Sequence, residues 1–103
     1  MIYKIFRSNE WQDLQAQGDT AGAPIDLADD YIHFSTATQA QETADKHFAQ
    51  VEGLYLAAVD GAALGGDIKW EVSRGGVEFP HLYRRLQLDE VVWCLPLPLI
   101  DGR

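Results

Sequence analysis

Two short stretches hold most of the side chains here that can move a proton or grip an anion. The first is Asp30-Tyr31-Ile32-His33-Phe34-Ser35-Thr36-Ala37-Thr38-Gln39. Read as a strand, it sends Ile32 and Phe34 to one side and Tyr31, His33 and Ser35 to the other, because successive side chains alternate. A histidine placed there can serve as general acid or base. Thr36 with Gln39 three residues on has the form of a capping box, which starts a helix at Ala37. The unpaired N–H groups of that start, at the positive end of the helix dipole, lie close to Ser35 and Thr36 and suit an anion. A plainer reading, a His and a Ser on an ordinary solvated strand face, stays open at this point.

The second stretch runs from Trp70-Glu71-Val72-Ser73-Arg74-Gly75-Gly76 through Phe79-Pro80-His81-Leu82-Tyr83-Arg84-Arg85. Between Ile68 and Leu88, four basic residues (Lys69, Arg74, Arg84, Arg85) stand against Glu71 and Glu78, a local excess of positive charge in a chain of net charge −8. Arginine offers a planar fork of donors for phosphate or carboxylate, and the paired glycines let a ligand approach the backbone next to Arg74. Arg84 and Arg85 can equally be taken up by surface acids, which are in excess. His33 and His81 could work together as acid and base. With His47 they could instead ligate zinc, but separations of 14 and 34 residues lack the short repeated intervals of zinc sites, so no metal is expected. Cys94 sits in the apolar run Val91-Val92-Trp93-Cys94-Leu95, where a thiol reads as a small buried hydrophobe, and no G-x-S-x-G nucleophile elbow is present.

Size and composition bound what can hold these groups. With 103 residues, the chain makes a single domain over 1–103. Hydrophobic residues at 47% and aromatics at 11% are ordinary for a globular core. The acidic balance excludes general nucleic-acid or anionic-membrane binding, so a small anionic ligand must be caught locally. There is no apolar leader and no run long enough to cross a membrane, and a cytoplasmic protein is expected. The oligomeric state is not readable.

Residues 2 to 6 alternate and read as a strand. Ser8 looks like the cap of a helix reaching Gln17, with Gly18 as its stop. Asp19 to Ala28 reads as a loop, its acids Asp26, Asp29 and Asp30 as turn formers. A helix follows from Ala37 to about Gln50, packing a stripe of Ala37, Ala40, Ala44 and Phe48, with His47 at its boundary. Leu54 to Val59 is apolar on both faces, as a central strand is. After a glycine-containing loop with one helical turn at 62–64, strands are expected at Ile68 to Arg74, within Val77 to Leu82, at Tyr83 to Leu88 and at Val91 to Leu95, the prolines at 96 and 98 ending the sheet. The predicted core is Ile32, Phe34, Leu56, Trp70, Val72 and Trp93. The pattern is α+β, a bent mixed or split β-sheet or partly open barrel with two helices in the N-terminal half.

Tyr31-Ile32-His33-Phe34-Ser35-Thr36 with Gln39, Thr43-Ala44 and Phe48, then Trp70-Glu71, then Phe79-Pro80-His81-Leu82-Tyr83 with Leu86, together resemble the small bacterial proteins grouped as domain of unknown function 952. Their strand-then-helix motif is distantly similar to that of the ADP-ribosyltransferase and RNA 2′-phosphotransferase superfamily, whose split sheet holds NAD or an ADP-ribosylated intermediate. That likeness implies a ligand-contacting role for His33, makes Glu71 the candidate for the superfamily's acidic residue, and makes NAD a candidate cofactor. The expectation is a small enzyme or enzyme-like domain for group transfer or hydrolysis on a phosphorylated or nucleotide-like ligand. His33, His81 and Glu71 are its candidate catalytic residues, and Ser35, Thr36, Arg74 and Tyr83 its candidate ligand contacts. The rival is a non-catalytic ligand-sensing or interaction module, in which the same polar residues would be scattered or satisfied by buried hydrogen bonds.

Overall fold

The alternating residues at the N-terminus form β1 (Ile2–Arg7), which pairs antiparallel with β4 (Leu54–Val59). β4 pairs in turn with β8 (Val91–Leu97), so the strand that is apolar on both faces is central. The computed structural model describes residues 1–97, with Arg74 by its backbone alone. The proline expected to end the sheet at Pro98 therefore lies outside the described residues. Pro96 does not end it: it sits within β8 opposite Tyr55, tolerated because β8 is an edge strand that can spare an N–H.

A second sheet, in the order β3-β6-β5, is built from β3 (Ile32–His33), β5 (Ile68–Val72) and β6 (Glu78–Leu82), again antiparallel. Two residues each from β2 (Asp19–Thr20) and β7 (Leu86–Gln87) make a third, short pairing. The sheets are linked where Tyr3 and Ser35 exchange backbone hydrogen bonds of 2.8 Å. The result is a small α+β domain with open, split sheets. Its main core joins Ile2, Phe6, Ala57 and Val59 of the first sheet to Ile32, Phe34, Leu82 and Leu86, with Leu14 of the first helix and Leu64.

Helix α1 (Ser8–Gln17) is capped from Arg7, whose N–H donates to Glu10, and it ends at Gly18 with φ 84°. The expected loop at 19–28 instead contains β2 and a short helix, α2 (Pro24–Asp29). Its signals were Pro24 at the first helical turn and Asp26, whose carboxylate accepts the Ala23 N–H. Helix α3 (Ala37–His47) begins where the capping box placed it, Thr36 accepting from the Gln39 N–H while Gln39 accepts from Thr36. It stops three residues before the expected Gln50. Buried Ala40 and Ala44 face a satellite core of Ile5 and Leu54. Helix α4 (Gly61–Leu64) is the single turn before β5.

The core prediction holds for Ile32 and Phe34, each 1% exposed. It fails for Trp70, Val72 and Trp93, which are exposed at 47%, 68% and 38%, while Leu56 is half-buried. The reason is position in the sheets. β5 and β8 are both edge strands, so their apolar faces overhang the ends of the core, whereas alternation alone implies full burial for any apolar face.

Candidate functional site

β3 and β6 are paired so that His33 stands directly opposite His81. Residues opposite one another in a pair point to the same side, and the two imidazole centroids lie 5.3 Å apart, edge to face. Tyr31 and Tyr83 extend the same face. The Tyr31 ring stacks on His81 at 4.2 Å and lies 4.7 Å from His33 and 5.2 Å from Tyr83.

Each histidine is held through Nδ1 by a carboxylate. His81 Nδ1 lies 2.8 Å from Glu71 Oε1, which also accepts from the Tyr83 hydroxyl at 2.5 Å. Those hydrogen bonds, from Tyr83 first and then His81, hold the Glu71 carboxyl below its usual range. In return, the bond to Glu71, reinforced by burial, pushes the Tyr83 hydroxyl up to about 12. An ionised carboxylate only accepts, so Nδ1 of His81 must donate, leaving Nε2 of the neutral ring as a lone-pair acceptor. The His81 side chain is 2% exposed, and its Nε2 is the one buried side-chain nitrogen or oxygen without a hydrogen-bond partner among the described residues.

His33 differs. Its Nδ1 lies 2.6 Å from Asp26 Oδ1 and its Nε2 3.0 Å from Asp29 Oδ2. Nδ1 is the hydrogen-bonded nitrogen, and Nε2 stands at ion-pair distance from Asp29, a contact that carries charge on both sides only if the ring is protonated. Asp26 is fully buried and has its acceptor positions filled. Oδ1 takes the His33 backbone N–H and ring, and Oδ2 takes the Ala23 N–H at 2.7 Å and the Lys4 ammonium at 2.8 Å. Burial alone would raise its carboxyl, but the His33 ring and the Lys4 charge prevail and hold it down at about 2. The Lys4 ammonium, itself buried, also donates to the His33 carbonyl.

Of the residues singled out from sequence, His33, His81, Glu71 and Tyr83 come together. Ser35 lies two residues beyond His33, its backbone engaged with Tyr3. Thr36 caps α3 and lines a separate groove of about 330 Å³ with Gln39, Glu42, Lys46, Gly75 and Phe79. The Arg74 side chain lies outside the described residues; Gly75 beside it adopts φ 67°, left-handed, which glycine tolerates without strain. Arg84 donates to Asp67 and, in a two-pronged pair, to Glu90, and Arg85 donates to Asp19. His47 is exposed on α3, and no group of three or more metal-ligating side chains gathers among the described residues. Burial pushes the Cys94 thiol up to about 11, as for an unreactive side chain.

Sequence reasoning missed Lys4 and Asp26. The signal for Lys4 was parity: it falls between Ile2 and Phe6 on the inward face of β1, and an inward lysine needs a partner. Asp26, third residue of a helix opened by proline, was read as one turn former among three.

No helix of the described residues is long and apolar enough to cross a membrane. No curated protein matches the chain. Among solved structures, the chain is similar to protein CC0527 from Caulobacter crescentus. The crystal structure shares 50% identity at a TM-score of 0.94, covering 98% of this chain and 89% of that one. The solution structure of the same protein gives 50% identity and a TM-score of 0.88 over 97% and 86%. The family model described as protein of unknown function (DUF952) matches residues 5–94. With that span, and a relative of one-half identity over nearly its whole length, this chain belongs to the DUF952 family.

Proposed function

We propose that the chain is a small enzyme that carries out hydrolysis or group transfer on a phosphorylated or nucleotide-like ligand by general acid–base catalysis. His81 Nε2 is the base and His33 the acid. One observation carries the reading: two imidazoles 5.3 Å apart, each oriented through Nδ1 by a carboxylate, with a buried Nε2 on one of them left unpartnered. An unsatisfied buried nitrogen costs stability and calls for a use. Paired histidines in opposite protonation roles fit a reaction that takes a proton from an attacking hydroxyl and gives one to a leaving oxygen. RNA 2′-phosphate transfer, in which a ribose oxygen departs, falls within this class; in ADP-ribosyl transfer from NAD, which is among the ligands to test, neutral nicotinamide departs without taking a proton, so that only the base is used. In that case Glu71 acts through His81, holding its tautomer.

The interaction-module reading draws on His33, whose Nδ1 is hydrogen-bonded to Asp26 and whose Nε2 lies within ion-pair distance of Asp29. A thermal-shift screen with nucleotides, sugar phosphates and NAD should find a ligand that raises the melting temperature, since binding to the native state alone stabilises it. Turnover of that ligand should fall on the order of 10²–10⁴-fold in His81→Gln and in His33→Gln, the usual contribution of a general acid or base. Binding without turnover in the unaltered protein would favour the module.

A further inference from the structure

Tyr31 and Tyr83 belong to two features at once. One side of the pair meets the histidines. The other lines a hollow of about 230 Å³ whose wall also includes Asp26, Asp30, Arg84 and Arg85. We propose that this hollow seats the anionic end of the ligand, a phosphate or phosphodiester, and that Arg85 is the residue that grips it. This rests on the acid–base reading for what happens next to the hollow, but not for binding in it.

The two arginines have different work. Arg84 is taken up by Asp67, by both Glu90 oxygens and by the Arg85 carbonyl, so it serves as a strut that fixes the backbone of the hollow's rim. The Arg85 side chain is half-exposed and, among the described residues, makes one hydrogen bond, from its Nη2 to Asp19 at 3.0 Å. The remaining N–H groups of a guanidinium form a planar fork suited to two phosphate oxygens. Asp30 and Asp26 lie on the same wall, and both repel an anion unless offset. Asp26 is offset by Lys4 and His33, which leaves Asp30 on the wall and Asp19 beside Arg85 itself as the opposing charges. Tyr31 ties the hollow to the histidines, since it lines the hollow and its ring stacks on His81 at 4.2 Å.

The test uses the whole chain and inorganic phosphate, with adenosine 5′-monophosphate as a second probe, followed by NMR of the backbone amide signals and of the tyrosine and histidine ring signals. Saturable shifts at Tyr31 and Tyr83 are expected, with affinity weakened about 10-fold or more in Arg85→Ala, the scale of a hydrogen bond between charged groups. Arg85→Lys, which retains the Asp19 pair and loses the fork, should bind nearly as poorly. Asp19→Asn should bind more tightly, since it releases the guanidinium and removes a negative charge; a merely structural Arg85–Asp19 pair predicts no gain. Unchanged phosphate affinity in Arg85→Ala and Arg85→Lys, shifts confined to the Thr36–Lys46 groove, or no saturable binding would overturn the proposal. His81→Gln separates the two readings: if catalysis is wrongly assigned but the hollow is right, the variant keeps phosphate binding, its Arg85 dependence and whatever turnover the unaltered protein has, whereas a correct assignment keeps the binding and loses the turnover.

Discussion

At the scale of single residues, Asp26 decides more than any other side chain. Its carboxylate joins the start of α2, the backbone and ring of His33, and Lys4 on β1. Removing it leaves the Lys4 ammonium buried without a countercharge, and breaking a buried pair by deleting one partner costs about 3–5 kcal/mol. Asp26→Ala should therefore lose that much in urea denaturation; a loss under about 1 kcal/mol would mean that Lys4 finds water. The Glu71–Tyr83 bond makes a sharper spectroscopic prediction. Tyr83 gives up its proton late because its donor bond to Glu71 is lost on ionisation, so its titration, followed by phenolate absorbance, should lie near 12 in the native chain and move down toward the ordinary value of 10 in Glu71→Gln. Both histidines were legible from sequence because each sits in a dense polar motif, and Glu71 was singled out through the family likeness. Asp26 was not, since three acids within five residues look alike until a helix buries one of them.

At the scale of elements, the strands were found more reliably than their neighbours. β4 was readable as central because apolar residues on both faces have only one place to go. β5 and β8 were readable as strands but not as edges: which strand lies outermost is decided by long-range pairing that no local pattern records. Two substitutions measure the difference. Phe34→Ala, deep in the main core, should cost about 3–5 kcal/mol, while Trp70→Ala on the overhanging face of β5 should cost roughly 1 kcal/mol or less. Equal losses in chemical denaturation would mean that β5 is covered. The capping box of α3 was legible because it is a local device, four residues long; Thr36→Ala should remove about 1 kcal/mol. The site, by contrast, depends on a register. β3 has only two residues, and a slip of one would turn His33 away from His81 and toward the core.

At the scale of the whole molecule, the buried charge network links stability to pH. Asp26 is held at about 2 against an ordinary 3.8, so the unfolded chain binds this proton more readily than the folded one. A depressed carboxylate contributes its full stabilisation above the unfolded value and loses it as pH falls through the folded one. Stability should therefore drop by about 2 kcal/mol between about pH 4 and pH 2 from this group alone. Urea midpoints measured across that range should show the drop in the native chain and a flatter profile in Asp26→Asn. The same network has a consequence for how the protein is made. Lys4 lies on the first strand and His81 on the sixth, so a growing chain contains Lys4, Asp26 and His33 long before it contains His81. Chains halted ahead of Phe79 lack both His81 and the strand with which β3 pairs. The proposed acid–base pair is therefore available only to a chain that has been translated nearly to its end.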